Sequence, residues 1–437
     1  MNFGRQKNIV TFVAAGLCFF SQAVFAVLFE PGAGVGLDYT DNSTLVNENK
    51  LNDLVTVGYV GARLSENEGA LMYDTAAAYN NTSYTQNTFP DRGYLNLQAN
   101  ADWEMVKEQF NWLLSDSFTQ RRVVTLNSNT PDNLQDSNIF TFGANIRSRI
   151  SARQNFSLTP IFKHYYYEVQ RTNNKQYSLV ANWNYQMFRL TSVGFNLSAR
   201  KVDYTEKNLS GQPIIDNTFK NMAIIINGQR LRSVFAINLG ATNVKRGNGQ
   251  DNTGFTGYLN WLADISSRSK FETLVSTDIT DTSRLAFSLA GDPIDGSGND
   301  VQITANVVRN SLIRLAYLRE DATWRTSIAA RYRKLKYSDD PLDRIIRDFD
   351  LRVRHPVTQL LSSGAYANYN RSRELDTNRL DESFTVGGDL KYLFSRKLHG
   401  LLYVRYRRKK SDFVFENYSE YSAFVSLVYG FGSVRRP

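Results

Sequence analysis

Cysteine and histidine, which supply most metal sites and many catalytic centres, are scarce in this sequence. The one cysteine, Cys18, lies in an N-terminal apolar segment, and the three histidines, His164, His355 and His399, are scattered along the rest of the chain. Beyond the N-terminal segment there is no thiol to form a disulfide, and no residue spacing is typical of a metal site. We therefore expect no metal, no cofactor and no enzymatic activity.

Long hydrophobic runs are also missing. After residue 26 no stretch of about 18 apolar residues occurs, and the mean hydropathy is −0.39, which excludes helical membrane spans. The first 26 residues differ, because Arg5 and Lys7 precede an apolar run at 9–20, and residues 24–26 complete the pattern of a secretory signal peptide. We expect cleavage after Ala26. No linker or shift in composition divides the remainder, which predicts a single domain over 27–437.

Alternation of apolar and polar residues, with a period of two, dominates the rest of the chain. From 421 to 431 every odd position is apolar or aromatic: Tyr421, Ala423, Val425, Leu427, Tyr429 and Phe431. Segments of this kind are joined alternately by tight links, such as 152–155 and 266–269, and by looser links, of which 120–137 and 282–300 are the longest. Short turns that alternate with longer loops are typical of outer-membrane barrels, whose chain ends both lie on the periplasmic side.

The pattern therefore predicts an all-β fold, a transmembrane antiparallel up-and-down β-barrel of about 20 strands, with 18 equally compatible. The expected location is the cell outer membrane of a Gram-negative bacterium. Aromatic residues make up 13% of the chain, which suits girdles at the two membrane interfaces, and we expect Tyr165, Tyr166 and Tyr167 to belong to one. The aromatic residues Tyr429 and Phe431 resemble the membrane-insertion signal at the end of outer-membrane proteins, although six residues follow Phe431.

If the apolar face of each strand contacts lipid, the opposite face lines the lumen. This assignment predicts an inward transport path formed by Arg147, Arg149, Arg200, Arg325, Arg331, Arg333, Arg352, Arg354, Tyr403, Arg405 and Arg407. Inward acidic residues are expected to pair with some of this charge, so that part of the arginine set equally well serves as structural ion pairs: Asp74, Asp102, Asp348 and Asp350.

The net charge of the chain is +9. Together with an arginine-rich lumen, this excess favours an anionic or hydroxyl-rich solute over a cationic one, because rings of arginine are common in pores that accept anions. The inward amides Asn96, Gln98 and Asn100 could hydrogen-bond a sugar chain.

Short motifs at the two ends of the mature chain carry a resemblance to a known family. Residues 36–42 (GLDYTDN) and 427–432 (LVYGFG) resemble those of the putative beta-barrel porin 2 type of outer-membrane protein. Between these motifs the similarity lies in the regular spacing of the predicted strands. Members of that family are often found in exopolysaccharide or capsule clusters. The resemblance implies a barrel that helps to carry such a polymer across the outer membrane.

The first hypothesis is therefore a channel that assists export of an exopolysaccharide or capsular polysaccharide without covalent chemistry. Its partners would be the polysaccharide, outer-membrane lipid, the barrel-assembly machinery and periplasmic polysaccharide-export components, and nucleic acid is not expected. One alternative is a general or nutrient porin for small anions or oligosaccharides, which a long loop folded into the lumen would favour. The other alternative is a surface-display or adhesive barrel.

Overall fold

Twenty antiparallel strands form one closed sheet in the computed structural model, which describes residues 27–207, 211–249, 251–288 and 301–434. The strands are β1 (Leu28–Thr40), β2 (Asp53–Glu66), β3 (Leu71–Tyr84), β4 (Arg92–Val106), β5 (Phe110–Arg122), β6 (Leu134–Ser151), β7 (Gln154–Tyr167), β8 (Asn174–Phe188), β9 (Thr191–Tyr204), β10 (Asn217–Arg230), β11 (Ser233–Arg246), β12 (Asp251–Ser266), β13 (Ser269–Asp281), β14 (Val307–Glu320), β15 (Arg325–Tyr337), β16 (Arg344–Pro356), β17 (Leu361–Glu374), β18 (Leu380–Leu393), β19 (Leu398–Ser411) and β20 (Tyr418–Gly430).

Each strand pairs with the next along the chain, and β20 pairs with β1 through a register that sets Gly32 opposite Gly430 and Leu37 opposite Val425. The strands are 13 to 18 residues long, which exceeds what a tilted strand needs to cross a bilayer. Closure satisfies the backbone donors and acceptors of both edge strands, as a membrane requires. The predicted barrel is confirmed, and it has 20 strands, the larger of the two predicted numbers. The predicted signal peptide, 1–26, lies outside the described residues.

Helix is scarce among the described residues. They contain the seven-residue α1 (Thr282–Ser288) and two 3-10 turns at Pro131–Asn133 and Val414–Glu416. No helix in the described part of the chain is long and apolar enough to span a membrane.

The connections divide into two classes at the two ends of the barrel. Those from an even-numbered to the next odd-numbered strand leave only two to four residues between strands, whereas those at the other end reach 25 residues at 282–306. The tight links predicted from the sequence fall at the first end and the loose ones at the second. By the rule for bacterial barrels, the first end is periplasmic and the second, here called the outer end, faces the outside.

Side chains alternate between the two faces of every strand, because the backbone is pleated with a period of two. Outward residues such as Phe195, Leu197, Phe255 and Val425 expose about half of their surface. These apolar groups form a continuous belt that suits contact with lipid chains, while the inward positions are mostly polar.

The main hydrophobic core lies inside the lumen, at the outer end. Leu285 and Ala286 of α1, with Val301 and Ile303, pack against inward side chains of β7, β14, β15 and β16, among them Tyr165 and Tyr167. The two tyrosines are only 1% and 2% exposed. The prediction that they belong to a membrane girdle is therefore wrong, because the loop supplies an apolar partner inside the barrel that strand periodicity could not reveal. Only Tyr166 points outward.

The C-terminal tail turns into the lumen at the periplasmic end. Gly430 and Gly432 adopt φ values of +77° and +93°, which favour glycine, and a Cβ at Gly430 would lie 2.0 Å from the Pro31 carbonyl oxygen. Beyond them Val434 is buried. The Tyr59 hydroxyl donates to the Phe431 carbonyl at 3.0 Å. The residues that follow the terminal aromatic are thus held inside the barrel up to residue 434.

Candidate functional site

The strand register places every predicted transport residue on an inward face. Arg331 lies opposite Asp348, Arg352 opposite Ser327 and Arg407 opposite Glu420. We call the inward residues of β15, β16 and β19 the arginine wall, and its cations are Arg325, Arg331, Arg333, Arg344, Arg352, Arg354, Arg405, Arg407 and Lys409. Arg147 and Arg149 lie on β6 and Arg200 on β9, outside this wall.

The arginines differ with depth in the lumen. Arg147, Arg149, Arg352 and Arg354, in the periplasmic half of the barrel, are exposed inside the lumen. Arg325 at the same end is exposed too, and it forms an ion pair with Glu320. These residues are available to a solute in the lumen, because water reaches them there.

From the middle of the barrel towards the outer end the arginines are enclosed. Arg331, Arg333 and Arg200 are buried, and Arg331 forms an ion pair with Asp348 at 2.6 Å. Arg200 forms an ion pair with Asp281, the last residue of β13. A buried cation is tolerated only when it is paired, so Arg200 and Arg331 hold the structure together at this level.

The acidic partners match the predicted set only in part. Asp348 pairs with Arg331 as expected, but Asp74 pairs instead with Arg63 at 2.8 Å. Asp102 and Asp350 accept hydrogen bonds from the amides of Asn111 and Asn368.

One acid that was not predicted from the sequence is Glu420 on β20, which lies beside the β19 arginines of the arginine wall. Its buried carboxylate accepts from Arg407 Nε at 2.5 Å and lies 3.7 Å from Arg405. The Thr40 hydroxyl donates to its other oxygen at 2.9 Å. Following the alternation of the last strand back from Ser422 by two residues would have placed Glu420 inward.

A second sector of the lumen is lined by amides. We call it the amide wall, and its inward residues on β8 to β12 are Asn174, Gln176, Asn182, Asn184, Asn196, Asn217, Asn221, Asn227, Asn238 and Asn260. Neighbouring members bond to one another, as when Asn196 donates to Asn182 at 2.7 Å, or to hydroxyls, as when Asn221 donates to Thr242 at 2.8 Å. Only the β4 amides were predicted from the sequence to face the lumen, although alternating asparagines are also visible on β8.

The described parts of the connection between β13 and β14, residues 282–288 and 301–306, lie inside the lumen, where 282–288 contacts β5 and β8. Arg121 of β5 donates to the Ala286 carbonyl at 3.0 Å, and its guanidinium stacks on the Phe287 ring at 3.8 Å. Asn174 of β8 donates to Ser283 at 3.1 Å. The described parts of this connection therefore fill the outer end of the lumen.

The connection 123–133 reaches across the same space towards the arginine wall. Arg344 donates to the Thr125 hydroxyl at 3.1 Å, and Lys409 donates to the Leu126 carbonyl at 2.5 Å. Ser128 donates to Glu416 at 3.0 Å, and Gln302 joins the two crossing connections by donating to the Val123 carbonyl at 2.9 Å. We call residues 123–133 and the described parts of 282–306 the inward loops. Both belong to the links that were predicted from the sequence to be the longest.

The two residues predicted as an insertion signal lie at the end of β20. Tyr429 points outward and is 55% exposed, and Phe431 follows the last residue of the strand. Their part in membrane insertion stays a prediction.

Several solved structures are similar to this chain. The siderophore receptor PirA from Acinetobacter baumannii superposes with a TM-score of 0.51 at 9% identity, over 94% of this chain and 81% of that one. The FrpB iron transporter from Neisseria meningitidis gives 0.47 at 8% identity, over 92% and 81%. The outer membrane protein opdK from Pseudomonas aeruginosa gives 0.39 at 7% identity, over 92% and 98%. Likeness at such low identity concerns the fold alone.

No curated protein matches the chain in sequence. Residues 344–431 match the family model described as putative beta-barrel porin 2, and this range runs from the first residue of β16 to just past the end of β20. The match includes five of the six residues of one of the two motifs on which the resemblance was based, 427–432. It confirms the similarity to the putative beta-barrel porin 2 family over the last five strands, and the chain is a porin-like outer-membrane β-barrel.

Proposed function

We propose that this barrel carries an anionic or hydroxyl-rich carbohydrate across the outer membrane, and that the cargo is an exported exopolysaccharide or capsular polysaccharide. The observation that supports the proposal is the division of the lumen into an arginine wall and an amide wall. Guanidinium groups attract carboxylate or sulfate groups on a polymer, and amides exchange hydrogen bonds with sugar hydroxyls.

Both walls suit movement rather than tight binding. Arg405 and Arg407 share the carboxylate of Glu420, which lowers the net charge that an anionic chain would meet. The amides of Asn182 and Asn196 already bond to each other, so a sugar hydroxyl would exchange one hydrogen bond for another at little net gain. Conduction needs contacts that are favourable enough for entry and weak enough for exit.

A general porin for small anions or oligosaccharides is the second candidate. The inward loop 282–306 favours it, because porins commonly fold one long loop into the lumen to narrow it. The two candidates differ in the length of the solute. A porin would pass small anions and exclude a polymer, whereas an export channel would admit a long chain once the inward loops move.

Planar-bilayer recording of the refolded protein tests the proposal. We expect an anion-selective current, and we expect long oligogalacturonate to interrupt it at lower concentration than a neutral dextran of the same length. The Asp281→Asn variant, which removes a charge that holds loop 282–306, should be recorded in parallel so that a closed resting state does not hide the current. Cation selectivity, or equal sensitivity to the two oligomers, would contradict the proposal. Sensitivity to short but not to long oligogalacturonates would favour the porin.

A further inference from the structure

A polar pocket lies between the inward loop 123–133 and the arginine wall. Its volume is about 250 Å³, which is room for about eight water molecules at ~30 Å³ each. That is the size of one sugar ring and far less than a chain. Loop residues 125–129 form one side of the pocket, residues of β15 to β19, most of them inward, form the other, and Arg122 and Tyr418 complete the lining.

Cationic side chains are placed at this pocket by contacts that fix their positions. Arg331 is held by Asp348, Arg344 by the Thr125 hydroxyl, and Lys409 by the Leu126 carbonyl and by Glu416 at 2.9 Å. Each of these three cations lines the pocket. Groups whose orientation is already set lose little freedom when a ligand binds.

The carboxylates at the pocket are largely engaged. Asp348 accepts from Arg331 and Asn370, Asp381 accepts from Arg379 and Ser411, and Glu382 accepts from Tyr369. Their charge is therefore compensated within the protein. An entering anion meets the cations of Arg344 and Lys409 with limited repulsion.

Two buried polar atoms at the same pocket have no partner among the described residues. They are the Ser372 hydroxyl oxygen and Asp381 Oδ2, on residues that are 8% and 6% exposed, and both residues line the pocket. A buried polar group without a partner is costly, which indicates that something else fills its hydrogen bonds. Asp381 Oδ2 needs a donor, and the Ser372 hydroxyl can donate or accept.

We propose that this pocket is a binding subsite for one acidic sugar residue, such as a uronate unit of the carbohydrate. The ligand's carboxylate would bind beside Lys409 and Arg344, and its ring hydroxyls would donate to Asp381 and bond to Ser372. An inorganic anion has no hydroxyl donor for Asp381, and a neutral sugar has no charge for Lys409. Only a molecule with both groups satisfies the pocket. The inference deepens the proposed function and rests on it for the identity of the cargo.

Titration calorimetry on the detergent-refolded full chain tests the subsite. The probes are D-galacturonate, D-galactose, which lacks the carboxylate, and acetate, which lacks the hydroxyls. We expect galacturonate to bind at least tenfold more tightly than either of the others, because each lacks one set of charge-assisted hydrogen bonds. Equal binding of galacturonate and acetate, or of galacturonate and galactose, would overturn the proposal.

Variants separate the two halves of the subsite. Lys409→Gln should weaken galacturonate binding about tenfold through loss of an ionic hydrogen bond, and Ser372→Ala, which removes one oxygen, should weaken it several-fold. Arg232→Gln, at a periplasmic turn, removes the same charge as Lys409→Gln outside the site and should change nothing. Lys409 also holds the loop, so Lys409→Gln could change the fold. If circular dichroism detects such a change, Ser372→Ala alone tests the subsite. Unchanged binding in Ser372→Ala would overturn the proposal.

The subsite and the proposed function fail in different ways. A barrel that binds galacturonate with these variant effects but conducts no anions would retain the subsite and lose the transport proposal. An anion-selective barrel in which galacturonate binds no better than acetate would retain transport and lose the subsite.

Discussion

The arginine wall and the amide wall line one lumen and follow one strand pattern, yet they differ in how they are stabilised. In the arginine wall, cations are held in ion pairs such as Arg331 with Asp348 and Arg407 with Glu420. In the amide wall, neutral side chains bond to neighbours, as Asn221 does to Thr242 and Thr256 at 2.8 and 3.0 Å. Charge and hydrogen-bonding capacity are thus separated around the barrel.

This difference shows which polar side chains the barrel can bury. Amides can face water or one another at little cost, whereas a buried charge must be paired. Arg200 shows this within the amide wall, because it is buried and bound to Asp281, Gln176 and Thr280. That ion pair joins the amide wall to the start of loop 282–306.

The largest expected effect comes from removing the ion pair between Arg200 and Asp281. Asp281→Asn leaves Arg200 as a buried cation without its carboxylate, which costs about 3–5 kcal/mol. We expect a lower midpoint of thermal unfolding and a several-fold rise in single-channel conductance, since loop 282–306 loses its anchor. Asp74→Asn is the matched control, because Asp74 forms an ion pair with Arg63 in which both side chains are at least 40% exposed, so the substitution should cost less than about 1 kcal/mol. Equal effects of the two substitutions would contradict the assignment of the anchor.

Reversing charge on the arginine wall should produce the next largest effect. In the Asp281→Asn background, Arg352→Glu with Arg354→Glu replaces two exposed lumen cations by anions. The reversal potential in a salt gradient should shift towards cations, by about tenfold in permeability ratio, or about 1.4 kcal/mol. Arg189→Glu with Arg232→Glu makes the same charge change at periplasmic turns. A shift of similar size in that control would mean that the wall does not set selectivity.

Adding positive charge to the amide wall tests whether this sector of the lumen also influences ion selectivity. Asn182→Arg with Asn238→Arg should raise anion selectivity two- to threefold in the same recordings, because both positions face the lumen. The control Asn182→Gln with Asn238→Gln keeps the amide and should leave selectivity unchanged. If the arginine variant also leaves it unchanged, ions do not pass along this sector.

The smallest expected effect concerns pH and loop 123–133. Burial tends to raise the pKa of Glu416, but the ion pair with Lys409 and the hydrogen bond from Ser128 outweigh it and hold the pKa below its usual range. A carboxyl with a lowered pKa stabilises the loop above the usual value of about 4.3 and loses that contribution as the pH falls further.

Conductance should therefore rise modestly below about pH 4, in line with an ion-pair contribution of at most about 1 kcal/mol. Glu416→Gln removes the titrating group, so this component of the pH dependence should vanish in recordings between pH 3 and pH 7. Its persistence in that variant would show that another group is responsible.

Much of the barrel could be predicted because its signals are local. The odd positions of 421–431 predicted an outward apolar face, and Val425 and Tyr429 expose about half of their surface. The inward placement of Arg331 and Arg333 followed from the same alternation. The site was harder to predict. Tyr165 and Tyr167 have the pattern of girdle residues, and only the structure shows that α1 packs against them inside the lumen. Glu420 was missed because it lies just before the alternating segment 421–431.

The sequence by itself determined the strands, their parity and the face on which each side chain lies, because the pleat repeats every two residues whatever the rest of the chain does. Only the tertiary structure decided which residues meet across the lumen. Arg121 contacts Ala286 and Arg344 contacts Thr125, pairs separated by 165 and 219 residues in the chain. Such contacts exist only once the barrel has closed and its loops have turned inward, so no local pattern encodes them.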